Sequence, residues 1–240
     1  MTTNTLQLGS IEALVVRKKV KNLHLSVLPP LGKVRVTAPQ GMHDDAIRTL
    51  LVTKLPWIKR QQEKFKGQSR QTQRKYISGE SHYYFGRRYR LEVIYKEAAP
   101  VVYLKGKHKI ILQVRPNSSE QKRCEVMLGW YRKELYPLAE KLMLKWQKKI
   151  KVQPKSWKIQ RMKTRWGTCN HKSRSILLNL ELAKKPIECL EYVIVHELMH
   201  LIEKKHNDHF VTMMEKYIPK WKSVKEDLNS FMLSYEEWDY

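Results

Sequence analysis

The chain has 240 residues, with 47 Lys and Arg against 23 Asp and Glu, a formal net charge of +24 and three cysteines. That length buries one core or two small ones, and a charge far beyond what solubility requires draws polyanions toward the surface. Three scattered cysteines (Cys124, Cys169, Cys189) exclude a disulfide framework or a thiolate zinc site and fit a reducing compartment.

At the N-terminus no basic patch leads into an apolar core, so no signal peptide is expected. No apolar run approaches the roughly 20 residues that span a bilayer. The expectation is a soluble, cytoplasmic protein without a membrane partner. Leu23, Leu25 and Val27 alternate, residues 29–32 turn, and Val34 and Val36 alternate again, which predicts a hairpin. Residues 43–62 read as a helix, with Asp44 and Asp45 in its first turn and an interruption at Pro56. Residues 67–75 are polar and read as a loop.

The positive charge concentrates at Lys54, Lys59, Arg60, Lys64, Lys66, Arg70, Arg74 and Lys75, against Glu63 alone. Two readings stay open: a solvated lysine-rich surface, or a face for a nucleotide or nucleic-acid polyanion. No helix-turn-helix, zinc-finger or RNA-binding signature accompanies the charge, so sequence-specific DNA binding is not supported. Residues 90–95 and 109–114 are β-type runs. Ser118 or Ser119 can cap a long helix to about Lys149, bent or broken near Pro137. Residues 157–160 alternate, 170–175 turn and 176–182 return, a second hairpin.

Pro186 is placed to start a helix, since its missing N–H costs nothing in the first turn. At 100° per residue Ile187, Leu190, Ile194, Leu198 and Leu201 form one apolar stripe. His196 and His200 fall opposite it, flanked by Tyr192 and Val193. A merely solvated face would not carry such large apolar groups, so both faces are expected to be enclosed, and enclosed imidazoles want a partner such as a metal. Spaced four apart with Glu197 beside the first, they form the His-Glu-x-x-His pattern that grips zinc and aims a carboxylate at the open position. Cys189 lies two turns earlier on a similar face and reads as a small buried hydrophobe.

A third ligand is expected close by. The helix must break between Glu203 and Lys205, after which Asn207 or Asp208 can cap a new helix. Phe210, Met213, Met214, Tyr217 and Ile218 give that helix its apolar stripe, and Pro219 ends it. His206, at the end of the loop, is favoured over His209, which sits inside the new helix and reads as a capping or surface group.

The run Arg165-Trp166-Gly167-Thr168-Cys169, then Ile176-Leu177-Leu178-Asn179, residues 192–198, His200-Leu201, His206-x-x-x-Phe210 and Pro219-x-Trp221 resembles the YgjP-like family of zinc metallopeptidases. That family belongs to the zincin group, alongside SprT-like and WLM-type proteins. Upstream, residues 34–39, Trp57-Ile58, Gly79-Glu80 and residues 85–89 also look like the family, so nearly the whole chain is covered. The resemblance implies zinc ligands His196, His200 and His206, with Glu197 as general base. It also implies that the 157–182 hairpin lines the cleft and pairs with extended substrate. Two positions depart from the pattern: Glu203-Lys204-Lys205 replaces a Pro-Asn or Pro-Asp turn, and Thr168 stands where Ser is usual.

The expected fold is α+β, with a strand-rich part at 1–115, a zincin-like catalytic domain at 116–230 and an acidic aromatic tail at 231–240. Arg165 is a candidate oxyanion stabiliser, Trp166 a packing anchor or substrate contact, and Gly167 marks a special backbone geometry or close approach. The leading function is a Zn2+ metallopeptidase acting on a peptide or protein. The resemblance also admits pyrophosphate release from a nucleoside triphosphate such as UTP at the same metal. A nucleic-acid-associated protein with a structural metal is the third reading, and a positioned Glu197 argues against it.

Overall fold

The computed structural model of the chain describes residues 2–28, 32–66, 74–162 and 165–230. The turn at 29–31, most of the 67–75 loop, Lys163 and the tail from 231 lie outside the described residues, as do the side chains of Lys64 and Lys66. The chain forms two compact units, dividing after residue 72.

The first unit holds β1 (Thr2–Leu8), β2 (Ile11–Lys18), β3 (His24–Leu28) and β4 (Lys33–Pro39), then α1 (Asp44–Thr53) and α2 (Leu55–Lys66). Sheet order is β1-β2-β4-β3, with β2 and β4 parallel. Side chains alternate across each strand, so Val34, Val36 and Ala38 point inward while Lys33 is exposed. They share a core with Ala13, Val15, Ile47, Leu51 and Ile58. The expected hairpin is β3–β4, and the break between α1 and α2 falls at Lys54, leaving Pro56 in the first turn of α2, where its ring is tolerated. Strands β1 and β2 were not expected, although Ile11, Ala13 and Val15 alternate.

The second unit opens with β5 (Ser81–Tyr84), β6 (Arg87–Tyr95), β7 (Val101–Lys105) and β8 (Lys109–Val114), in sheet order β5-β6-β8-β7. Next comes α3 (Glu120–Ile150), capped by Ser119, whose hydroxyl accepts from the Lys122 amide at 3.2 Å. It runs through Pro137 without interruption. Pro137 and Lys133 are both exposed, so water can satisfy the carbonyl that proline leaves unpaired. Met127, Tyr131, Leu135, Ala139 and Met143 recur at helical spacing, bury one stripe and share a core with Leu91, Ile110 and Leu112 of the sheet. For that reason the chain divides near residue 72 rather than at 115/116: the second sheet and the long helix cannot bury their apolar faces apart.

A third sheet follows, from β9 (Ser156–Gln160), β10 (Gly167–Asn170) and β11 (Ser175–Asn179), then a 3-10 turn (Leu180–Lys184). Its order is β10-β11-β9. The expected hairpin of 157–160 with 176–182 is corrected here. β11 turns back antiparallel on β10, while β9 pairs parallel on its other side. The Gly-Thr-Cys-Asn segment has no apolar alternation to announce a strand; its place is set by Asn179. This fully buried side chain accepts from the Met162 amide at 3.2 Å and donates to the Met162 and Arg165 carbonyls, each at 2.8 Å.

The remaining helices are α4 (Ile187–Met199), α5 (Asp208–Tyr217) and α6 (Trp221–Ser230). Leu190, Ile194, Leu198 and Leu201 are buried, whereas Ile187 is exposed. Gly86, at φ +80°, lets the β5–β6 turn close on Pro186, where an added Cβ would stand 3.0 Å from the proline ring. Among the described residues no helix is long and apolar enough to cross a membrane.

Candidate active site

Helix α4 ends four residues earlier than expected. The Glu203 amide turns back to the Met199 carbonyl at 2.9 Å, and the Glu203 carboxylate accepts from the Lys205 amide at 3.2 Å, so the reversal needs no glycine. The chain then enters α5 at Asn207, whose side chain accepts from the Phe210 amide at 3.0 Å, as its capping chemistry predicts.

This reversal brings three imidazoles together. One ring nitrogen from each of His196, His200 and His206 lies within 4.8 Å of the others, and His206 Nε2 stands 3.1 Å from His196 Nε2. Two nitrogens on one tetrahedral zinc, each about 2.0–2.1 Å from it, would be about 3.3 Å apart. The donor set therefore fits a metal ion. His200 Nδ1 lies 3.0 Å from the Glu203 carbonyl, which can only accept, so this nitrogen carries the proton and Nε2 keeps its lone pair. Burial pushes His196 down to about 3 from the usual 6.5, helped by His200, His206 and Lys225. Burial, His200 and Lys225 also lower His206. Lowered in this way, His196 and His206 favour the neutral ring, whose lone pair can bind a metal.

Phe210, expected in the α5 stripe and in the family-like His206-x-x-x-Phe210 piece but given no role at the site, is the floor of this cluster. Its ring centroid lies 5.1 Å from His196, 4.9 Å from His200 and 4.8 Å from His206. His209 points elsewhere: it is 63% exposed and stands 3.8 Å from the Glu203 carboxylate. Cys189 is buried in the core and outside the cluster.

Glu197 is buried beside the imidazoles, and burial pushes its carboxyl up to about 8 against the opposing pull of Arg165. Gly167 lies against it. An added Cβ there would come within 2.6 Å of Glu197 Oε1 and 2.8 Å of Val193 Cγ1, so close approach, not an unusual φ, demands glycine. Trp166 is half-buried against the core, with the Lys185 ammonium 5.5 Å from its ring centre. Arg165 is exposed on the cleft, while Arg161 turns away to Glu181 at 3.8 Å. Asn179, given no role by the sequence, holds the segment that carries Arg165, Trp166 and Gly167. A cavity of about 380 Å³ opens beside Glu197 between that segment, α4 and the helices after it.

The burial of Glu197 makes a stability prediction for the metal-free protein. Between the usual 4.5 and about 8 the folded chain keeps a proton that the unfolded chain has released, so stability falls as pH rises. His196 acts in the opposite sense, but only below 6.5, where the unfolded chain takes up protons. From pH 6.5 to 8 the loss should reach on the order of 2 kcal/mol in urea unfolding. Glu197→Gln should flatten this slope, and an unchanged slope would refute the assignment.

Residues 21–231 match the family model described as YgjP-like, metallopeptidase domain. No curated protein sequence matches the chain. Similar solved structures include the crystal structure of the metallopeptidase zymogen of Methanocaldococcus jannaschii jannalysin, at 18% identity and TM-score 0.35, covering 38% of this chain and 87% of that one. Another is the metallopeptidase zymogen of Pyrococcus abyssi abylysin, at 22% identity and TM-score 0.35, covering 38% and 90%. Since the family model spans most of its length, the chain belongs to the YgjP-like family of metallopeptidase domains.

Proposed function

We propose that the chain is a zinc-dependent peptidase in which His196, His200 and His206 hold the ion and Glu197 is the general base. The observation that carries this reading is the convergence of three imidazoles with a buried carboxylate beside them. An all-nitrogen donor set suits zinc better than magnesium or calcium, which prefer oxygen. When bound, zinc supplies a Lewis acid for the substrate carbonyl and lowers the pKa of a water beside it to about 7. Glu197 takes a proton as that water's oxygen adds to the peptide carbon, then passes it to the departing amide nitrogen as the C–N bond breaks. A nearby cation favours the carboxylate, bringing Glu197 into its basic form near neutral pH. Arg165, at the cleft edge, is placed to bind substrate and to balance the charge developing on the carbonyl oxygen. Among the described residues β10 is an edge strand, which suits backbone pairing with an extended chain.

A different reaction at the same centre, pyrophosphate release from a nucleoside triphosphate, draws on the cations at the rim, Arg165 and Lys225. Substrate assays separate the two. Zinc-loaded protein offered a denatured polypeptide mixture should generate new amino termini, and offered nucleoside triphosphates should release no pyrophosphate. Pyrophosphate release without peptide cleavage, lost in Glu197→Gln, would overturn the peptidase reading. The exposed Lys59 and Arg60 of α2, with the overall charge, suit a polyanion partner.

A further inference from the structure

The cleft beside Glu197 has two chemically different ends. At the Gly167 end it opens into the 380 Å³ cavity, walled by Trp166, Tyr192, Phe210, Val211, Trp221 and Leu228, with Arg165 and Lys225 as its cations. At the Asn170 end the walls turn polar and basic, with Thr168, Asn170, His171, Lys172 and Lys204. Among the described residues lining either end, Glu197 is the one acidic group. Lys172 and Lys204 line that polar end and are both exposed. Cavities of this volume fall in the range that takes up ligand groups, and an aromatic side chain gains most from an apolar one.

The direction of the bound chain follows from the sheet. β10 pairs with β11 on one side and is the edge strand on the other, among the described residues. Antiparallel addition to that edge is the slightly more stable arrangement. Because β10 runs from Gly167 to Asn170, an antiparallel peptide enters over Lys172 and Lys204 and leaves toward the apolar cavity. Glu197, His196 and His206 line both ends and so lie between the two.

Resting on the peptidase reading above, we propose that the enzyme selects bonds preceded by an acidic residue and followed by a large apolar or aromatic one. The lysines give the acidic preference through complementary charge, which governs encounter and register more than raw affinity. The cavity gives the apolar preference by removing a side chain from water. The first preference should therefore weaken in salt and the second should not.

The test uses zinc-loaded full-length protein and internally quenched peptides that differ only at the two positions flanking the bond: Glu-Phe, Phe-Glu, Lys-Phe and Glu-Ala. Cleavage sites are read by mass spectrometry. Glu-Phe should exceed each of the others at least about tenfold in kcat/KM. Lys172→Glu with Lys204→Glu should lower the ratio of Glu-Phe to Lys-Phe about tenfold. Val211→Trp, which fills the cavity, should lower the ratio of Glu-Phe to Glu-Ala. The wild-type ranking alone decides the matter should a variant fail to fold. Equal rates, or Phe-Glu cut fastest, would overturn the proposed preference while leaving the peptidase reading intact. Pyrophosphate release with no peptide cleaved, the denatured mixture included, would overturn both.

Discussion

Glu197→Gln should lower turnover about 10²- to 10⁴-fold, the range that a positioned general base contributes, while zinc stays bound. Gln matches Glu in size, so the tight packing against Gly167 is kept. What is lost is the ability to accept a proton. The carboxylate lies outside the cluster of ring nitrogens, so the donor set for the metal is untouched. Metal content and kcat measured on one preparation check both halves. Release of zinc by this substitution would make Glu197 a ligand and its role as base untenable.

His206→Ala should lower zinc affinity by orders of magnitude and His209→Ala should leave it within about 10- to 100-fold, the cost typical of removing a group that only orients a ligand. The two residues differ in where the 201–207 reversal leaves them. His206 is returned to 3.1 Å from His196, whereas His209 is carried into the first turn of α5 and faces the Glu203 carboxylate. Competition with a chelator of known affinity, followed for each variant, separates them. If His209→Ala stripped the metal and His206→Ala did not, the third ligand would move to His209. The cluster around Phe210 would then have to rearrange.

Much of this protein is legible in its sequence because the relevant physics is local. The four-residue spacing of His196 and His200, the apolar stripe behind them and the Asn207 cap each depend on neighbours within a helical turn or two. The hairpin of β3 and β4 and the Ser119 cap are legible for the same reason. Only the tertiary structure decided the rest. Which strand lies beside β11 depends on a buried Asn179 that holds backbone many residues away, so the parallel partner β9 could not be read from alternation. The place where the chain divides depends on which apolar faces meet, and α3 meets the second sheet. Phe210 has the sequence signature of an ordinary core residue; its place beneath three imidazoles exists only once α4 and α5 are folded together. The raised pKa of Glu197 comes likewise from burial, a property of the surrounding fold that no spacing of residues along one helix expresses.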